Sequence, residues 1–108
     1  MKSYSNVADA ISDLHKEGYI NDFQLFDNDL LWIQERVFIR SGEFSILEYH
    51  VIAASVNSTR EEFVVFGIEA SYHNIKGILL NHYKSHTNNM PPILVKKLNE
   101  LNMRATAG

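Results

Sequence analysis

The sequence predicts an α+β fold: a four- to five-stranded antiparallel sheet with an N-terminal and a C-terminal helix packed on one face. Helical apolar spacing occurs in only two places, one towards each end of the 108-residue chain. Between them, short apolar runs alternate with polar turns. The links between those runs are too short for crossover helices, so the strands pair antiparallel.

Asn6 caps the first helix, with Asp9 at the third helical position beside the positive end of the dipole. Val7, Ala10, Ile11 and Leu14 recur at helical spacing, and Asp13 and Lys16 lie outside. Gly18 supplies a left-handed stop, and Tyr19 just beyond folds back on the last turn. Phe23–Phe26 and Leu30–Ile33 flank Asp27-Asn28-Asp29, which is a hairpin signal. Val37-Phe38-Ile39 is a short third run, ended by Ser41-Gly42.

The longest segment runs from Phe44 to Ala54. Phe44, Ile46 and Ile52 share one parity, which Glu48 and His50 interrupt, while Leu47, Tyr49 and Val51 share the other. The polar stretch 56–60 turns the chain into an antiparallel strand from Phe63. A second turn at 71–74 leads into the run Ile75–Tyr83, and a polar loop follows at 85–89. Pro91-Pro92 opens the final helix, since proline at the first helical position loses no hydrogen bond. Leu94, Val95, Leu98 and Leu101 form its apolar stripe, with Lys96 and Lys97 outside. The expected unit is one α+β domain over residues 1–103, and residues 104–108 form a frayed tail.

The chain is 45% hydrophobic and 21% charged, ordinary for a globular domain. It has no cysteine, which excludes disulfides, thiolate nucleophiles and cysteine-based zinc sites. No apolar signal core opens the sequence and no run approaches the roughly 18 residues of a membrane span, so a cytoplasmic protein is expected. Net charge is −3. Residues 1–31 carry two Lys against six Asp/Glu, whereas residues 82–108 carry three Lys and one Arg against one Glu. Two readings remain: solvated helix surfaces of opposite sign, or complementarity between chain ends or subunits. No basic stripe outweighs the acidic remainder, so no nucleic-acid partner is expected, and no membrane partner either.

The strands are apolar on both faces. Val64, Phe66 and Ile68 alternate with Phe63 and Val65, and Gly77–Leu80 and Leu30–Ile33 read the same way. Four strands span roughly 19 Å and two helices roughly 20 Å, so two helices cover one face only. The other face keeps some of Phe63, Val65, Leu79, Leu31 or Ile33, and a homodimer is expected to bury it.

Glu48 and His50 lie two apart on a strand and share a face, with Lys76 on a nearby strand. A carboxylate beside an imidazole can exchange protons, and it can equally be a polar cluster at a sheet edge. With Tyr83 at the rim of a pocket, Glu48, His50 and Lys76 are the candidate ligand-binding residues; no catalytic residue is assigned. His82 and His86 have the spacing of a helical metal pair but straddle a strand end, where four residues span about 13 Å, so no metal site or cofactor is expected. Isolated glycines make no phosphate loop; Gly67 and Gly77, inside strands, mark a bulge or close packing. Trp32 and the phenylalanines read as core.

Several segments resemble one family over most of the chain. They are Glu17-Gly18-Tyr19 with Asp22-Phe23, then Glu43-Phe44, Glu48 and His50, Ile75-Lys76-Gly77 with Leu80 and Tyr83, and finally Pro92, Leu94 and Lys96-Lys97-Leu98. The family comprises small, uncharacterised Bacteroidetes proteins commonly labelled phosphoribosylpyrophosphate synthetase. The residues do not support that activity: the pentose-phosphate loop of the true enzymes, paired acids joined to a Thr-Gly turn, has no counterpart here. The chain also departs from the family at Arg40-Ser41-Gly42, where the family is His-Pro rich, and at residues 57–60, which replace an acidic turn.

The expected function is that of a non-catalytic binding or regulatory module acting as a homodimer. Two alternatives stand beside it: a small-ligand domain with a pocket between sheet and helices, and a small enzyme using Glu48, His50 and Lys76.

Overall fold

A computed structural model describes residues 4–56, 59–84 and 90–107, with side chains described at 4–53, 61–82 and 90–103. Among the described residues, helix α1 (Val7–Lys16) precedes strands β1 (Asn21–Phe26), β2 (Asp29–Trp32), β3 (Val37–Ile39), β4 (Ser45–Val56), β5 (Thr59–Ala70) and β6 (Ile75–Lys84), and helix α2 (Pro92–Ala107) follows. Short 3-10 turns at Ser41–Glu43 and Ser71–His73 precede β4 and β6. The loop residues 57–58 and 85–89 lie outside the described residues.

The α+β class is as expected, and the sheet is larger and mixed. Its six strands run in the order β3-β2-β1-β6-β5-β4. Two antiparallel meanders, β1–β3 and β4–β6, meet where β1 pairs parallel with β6, Phe23 opposite Leu79. The short-link rule constrains consecutive strands only. β1 and β6 are far apart in sequence, so their parallel pairing needs no crossover helix.

Gly77 makes this junction possible: a Cβ there would stand 2.5 Å from the Asn21 carbonyl oxygen and 2.6 Å from the Phe23 ring. Asn21 clasps it, donating to the Lys76 carbonyl at 2.9 Å and accepting from Trp32 Nε1 at 3.0 Å.

Five residues, 40–44, carry the chain from one edge strand to the other. They reach at most about 20 Å, and the 3-10 turn shortens that. A flat six-stranded sheet would hold its edges about 24 Å apart. The sheet therefore curls. Its inner face is the one on which every strand contributes to a single apolar cluster: Phe23, Leu30, Ile39, Ile46, Phe66 and Leu79, closed by Ile93 and Leu94 of α2.

The helices do not share a face. Residues directly opposite in a ladder point to the same side. That rule puts Val64, Phe66 and Ile68 under α2, and Val65 and Ile78 under α1 with Ala10, Leu14 and Tyr19. Apolar strands on both sides thus meet one helix on each, and the expectation of two helices on one face is overturned. Val65 and Leu79, expected on an open surface, are buried, and Phe63 is partly buried beside α1.

Three further details differ from the sequence reading. β4 carries a bulge between Ile46 and Glu48 that leaves Leu47 unpaired. It reverses the parity, so Ile46 lies under α2 while Ile52 lies under α1. In α2, the inward positions are Leu94, Lys97, Leu98 and Leu101; Val95 is exposed and Lys97 is buried. The helix continues to Ala107, past the end expected at Met103.

Candidate functional site

The first turn of α1 is capped as its sequence requires, with Asn6 Oδ1 accepting from the Asp9 amide at 2.8 Å. Its other end forms a Schellman closure. Gly18 sits at φ 101, its amide bonds the His15 carbonyl at 3.1 Å, and the Tyr19 amide bonds the Leu14 carbonyl at 3.0 Å. That closure aims the Tyr19 side chain at the sheet.

The ring lands on Gly67, where a Cβ would come within 2.8 Å of it. Tyr19 Oη donates to Glu48 Oε2 at 2.9 Å, and Glu48 Oε1 meets His50 Nε2 at 3.0 Å. The bulge at Leu47 brings Glu48 and His50 to this side at all, because their register partners Gly67 and Val65 face α1. Lys76 Nζ lies 4.3 Å from the centre of the Tyr19 ring and 3.5 Å from the Glu17 carbonyl oxygen. The Tyr4 ring stands edge-on to His50, centroids 5.0 Å apart, and its hydroxyl donates to Asp13 Oδ2 at 3.1 Å.

Burial raises the Tyr19 phenol well above its ordinary range, reinforced by its bond to Glu48 and by the nearby charges of Glu48, Glu17 and Glu69. A phenol held neutral is a donor rather than a base. Both Glu48 oxygens are engaged, and the His50 side chain is 14% exposed. The cluster fastens the end of α1 to β4 and β5. It leaves little of the imidazole open to a substrate.

Three of the four expected residues are thus gathered, with Tyr19 as the hub: Glu48 and His50 directly, Lys76 through the ring. Tyr83 pairs with Glu62 in the β5–β6 ladder, and its side chain lies outside those described. A groove of about 280 Å³ opens beside Lys76, lined also by Gly18, Glu69 and Asn74. His86, one half of the spacing weighed as a metal pair, lies outside the described residues. His82 meets the buried Glu61 at 2.6 Å and stacks on Phe63, centroids 4.4 Å apart. Among the described residues there is no group of three or more His, Asp or Glu suited to hold a metal ion.

An exposed apolar surface lies further along the same face; the sequence offered Leu31 and Ile33 for it and missed Phe26, Phe38 and Leu80. α1 covers β4, β5 and part of β6, and burial stops there. By register, Gln24 and Phe26 of β1, Leu31 of β2 and Phe38 of β3 share this face beyond the helix, with Leu80 of β6 at the border. Phe26 and Phe38 meet edge to face at 5.9 Å. Phe26 is 46% exposed, Phe38 54%, Leu80 45%, and Ile33, in the turn that follows β2, 45%. The usable signal was the hairpin loop. It has two residues, Asp27 and Asn28, with Asp27 at φ 53, and that length sets Phe26 opposite Asp29 and fixes the parity.

Compared with protein-family models, with curated proteins and with solved structures, the chain matches none. Among the described residues no helix is long and apolar enough to cross a membrane.

Proposed function

We propose that the protein is a non-catalytic interaction module that forms a homodimer through the uncovered half of its α1 face. The carrying observation is the apolar group Phe26, Ile33, Phe38 and Leu80, exposed on a face whose other half needs a helix to cover it. These four side chains leave roughly 350–400 Å² open, about half of what one partner contributes to a standard interface. A patch of that size on a sheet is at the scale at which surfaces are functional.

A second copy is the occupant that fits. The patch is borne on strands rather than set in a groove, and sheets of similar twist stack face to face about 10 Å apart. Its centre is Leu31 and Gln24, with Asp22 and Asp29 on the same face two residues from them. The Tyr19–Glu48–His50 cluster holds α1 in place, so the helix stops short of the patch and leaves it free.

The test is the double variant Phe26→Lys with Phe38→Lys, compared with the wild type by light scattering and circular dichroism. The proposal expects a dimeric wild type and a folded monomeric variant. A variant with the same molar mass as the wild type would overturn it.

A further inference from the structure

Lys97 is the one lysine buried in the described structure, 7% exposed, and it occupies an inward position of α2 between Leu94 and Leu101. Its side chain is largely covered, and the ammonium at its end has three donors that call for acceptors. Two side chains stand close to its ammonium. Nζ lies 4.6 Å from the centre of the Phe44 ring, and 3.7 Å from Oε1 of the exposed Glu100. Neither is a hydrogen bond: the carboxylate is too far, and a ring face accepts only weakly.

The side chain lines a groove of about 300 Å³ between α2 and the 3-10 turn that precedes β4. Lys96 and Glu100 share its helical wall, and Ser41, Gly42 and Ser45 form the wall opposite. The two lysines outweigh the one carboxylate. The far wall offers hydroxyls and backbone beside the Phe44 ring, and Ile93 adds one apolar side chain on the helical side. The space equals that of about ten waters, more than a bare oxyanion needs.

We infer that this groove is a binding site for a compact oxyanion, a phosphate or carboxylate group carried on a small polar ligand. Lys97 supplies the charge on the helical wall, Lys96 the charge at the rim, and Ser41 and Ser45 the hydroxyl donors. Glu100 holds the ammonium loosely and competes with the ligand for it. The site is at the edge of the α2 face, away from the apolar patch, and does not depend on self-association.

The experiment is an NMR titration of the intact chain with inorganic phosphate and, separately, with acetate, against sodium chloride at equal ionic strength. The inference expects saturable shifts in the amides of Ser41, Gly42 and Ser45 with at least one of the two oxyanions and not with chloride. Lys97→Met, which keeps the length of the stem and removes the charge, should weaken binding at least tenfold, and Glu100→Gln should tighten it. If Lys97→Met does not fold, the exposed Lys96→Glu serves in its place and should weaken binding several-fold. Shifts no larger than those with chloride, or an affinity unchanged by loss of the lysine charge, would overturn the inference.

Discussion

On the α2 face, side chains from all six strands and from the helix merge into one apolar cluster. On the α1 face, burial stops at β6, and the helix is seated by a cap, a glycine-floored tyrosine and a carboxylate shared with a histidine. The difference follows from the curl. Side chains converge inside a curled sheet, so one helix closes its middle and leaves Val37, Tyr49 and Val51 exposed on the two edge strands. Outside they diverge, and a ten-residue helix covers only half of the surface. A helix with little apolar area beneath it gains from directional bonds, and a fixed helix leaves the rest of its face open.

This contrast can be broken most forcefully from the inside. Phe66→Ala, at the centre of the inner cluster, should cost about 3–5 kcal/mol in denaturant unfolding and destabilise the whole domain. Val65→Glu with Leu79→Glu, which reads from sequence as a way to make a soluble monomer, buries one charge under each helix and should abolish folding, seen as loss of the far-ultraviolet dichroism.

The polar seat should give smaller and more local effects. Gly67→Ala drives a methyl group into the Tyr19 ring and should cost about 1–3 kcal/mol. The same change in a Tyr19→Ala background should cost less, because the clash is gone. Tyr19→Phe leaves one Glu48 oxygen without its donor and should cost about 1 kcal/mol at neutral pH. Because the fold raises the phenol above its ordinary range, its contribution is complete below about pH 10 and lost as pH rises through the folded value. Denaturation midpoints measured from pH 8 to pH 12 should therefore fall more steeply in the wild type than in Tyr19→Phe. Equal slopes would mean the phenol is not held as described.

The sequence made the local elements legible wherever a short-range rule applies. Asn6 and Gly18 bound α1, the hairpin lies where Asp27 and Asn28 place it, and Pro92 opens α2. Glu48, His50 and Lys76 were legible as a group because strand spacing puts the first two on one face. What escaped depends on long-range geometry. The parallel β1–β6 junction joins distant segments, and the bulge at Leu47 reverses a parity that looks continuous in the sequence. Tyr19 read as a helix-end residue, and Gly67 as a bulge or a site of close packing; their contact depends on where α1 docks. The open face was assigned to Val65 and Leu79 among others because both helices were placed together. With one helix on each side, the exposed residues become Phe26 and Phe38, which had read as core.

The central claim is that the uncovered half of the α1 face is closed by a second copy of the chain. The most direct measurement is the molar mass of the wild-type protein in solution, by light scattering coupled to size exclusion over a range of concentrations. The account predicts about 25 kDa, twice the 12.4 kDa chain, at the higher concentrations. A mass that stays at 12.4 kDa throughout would contradict it.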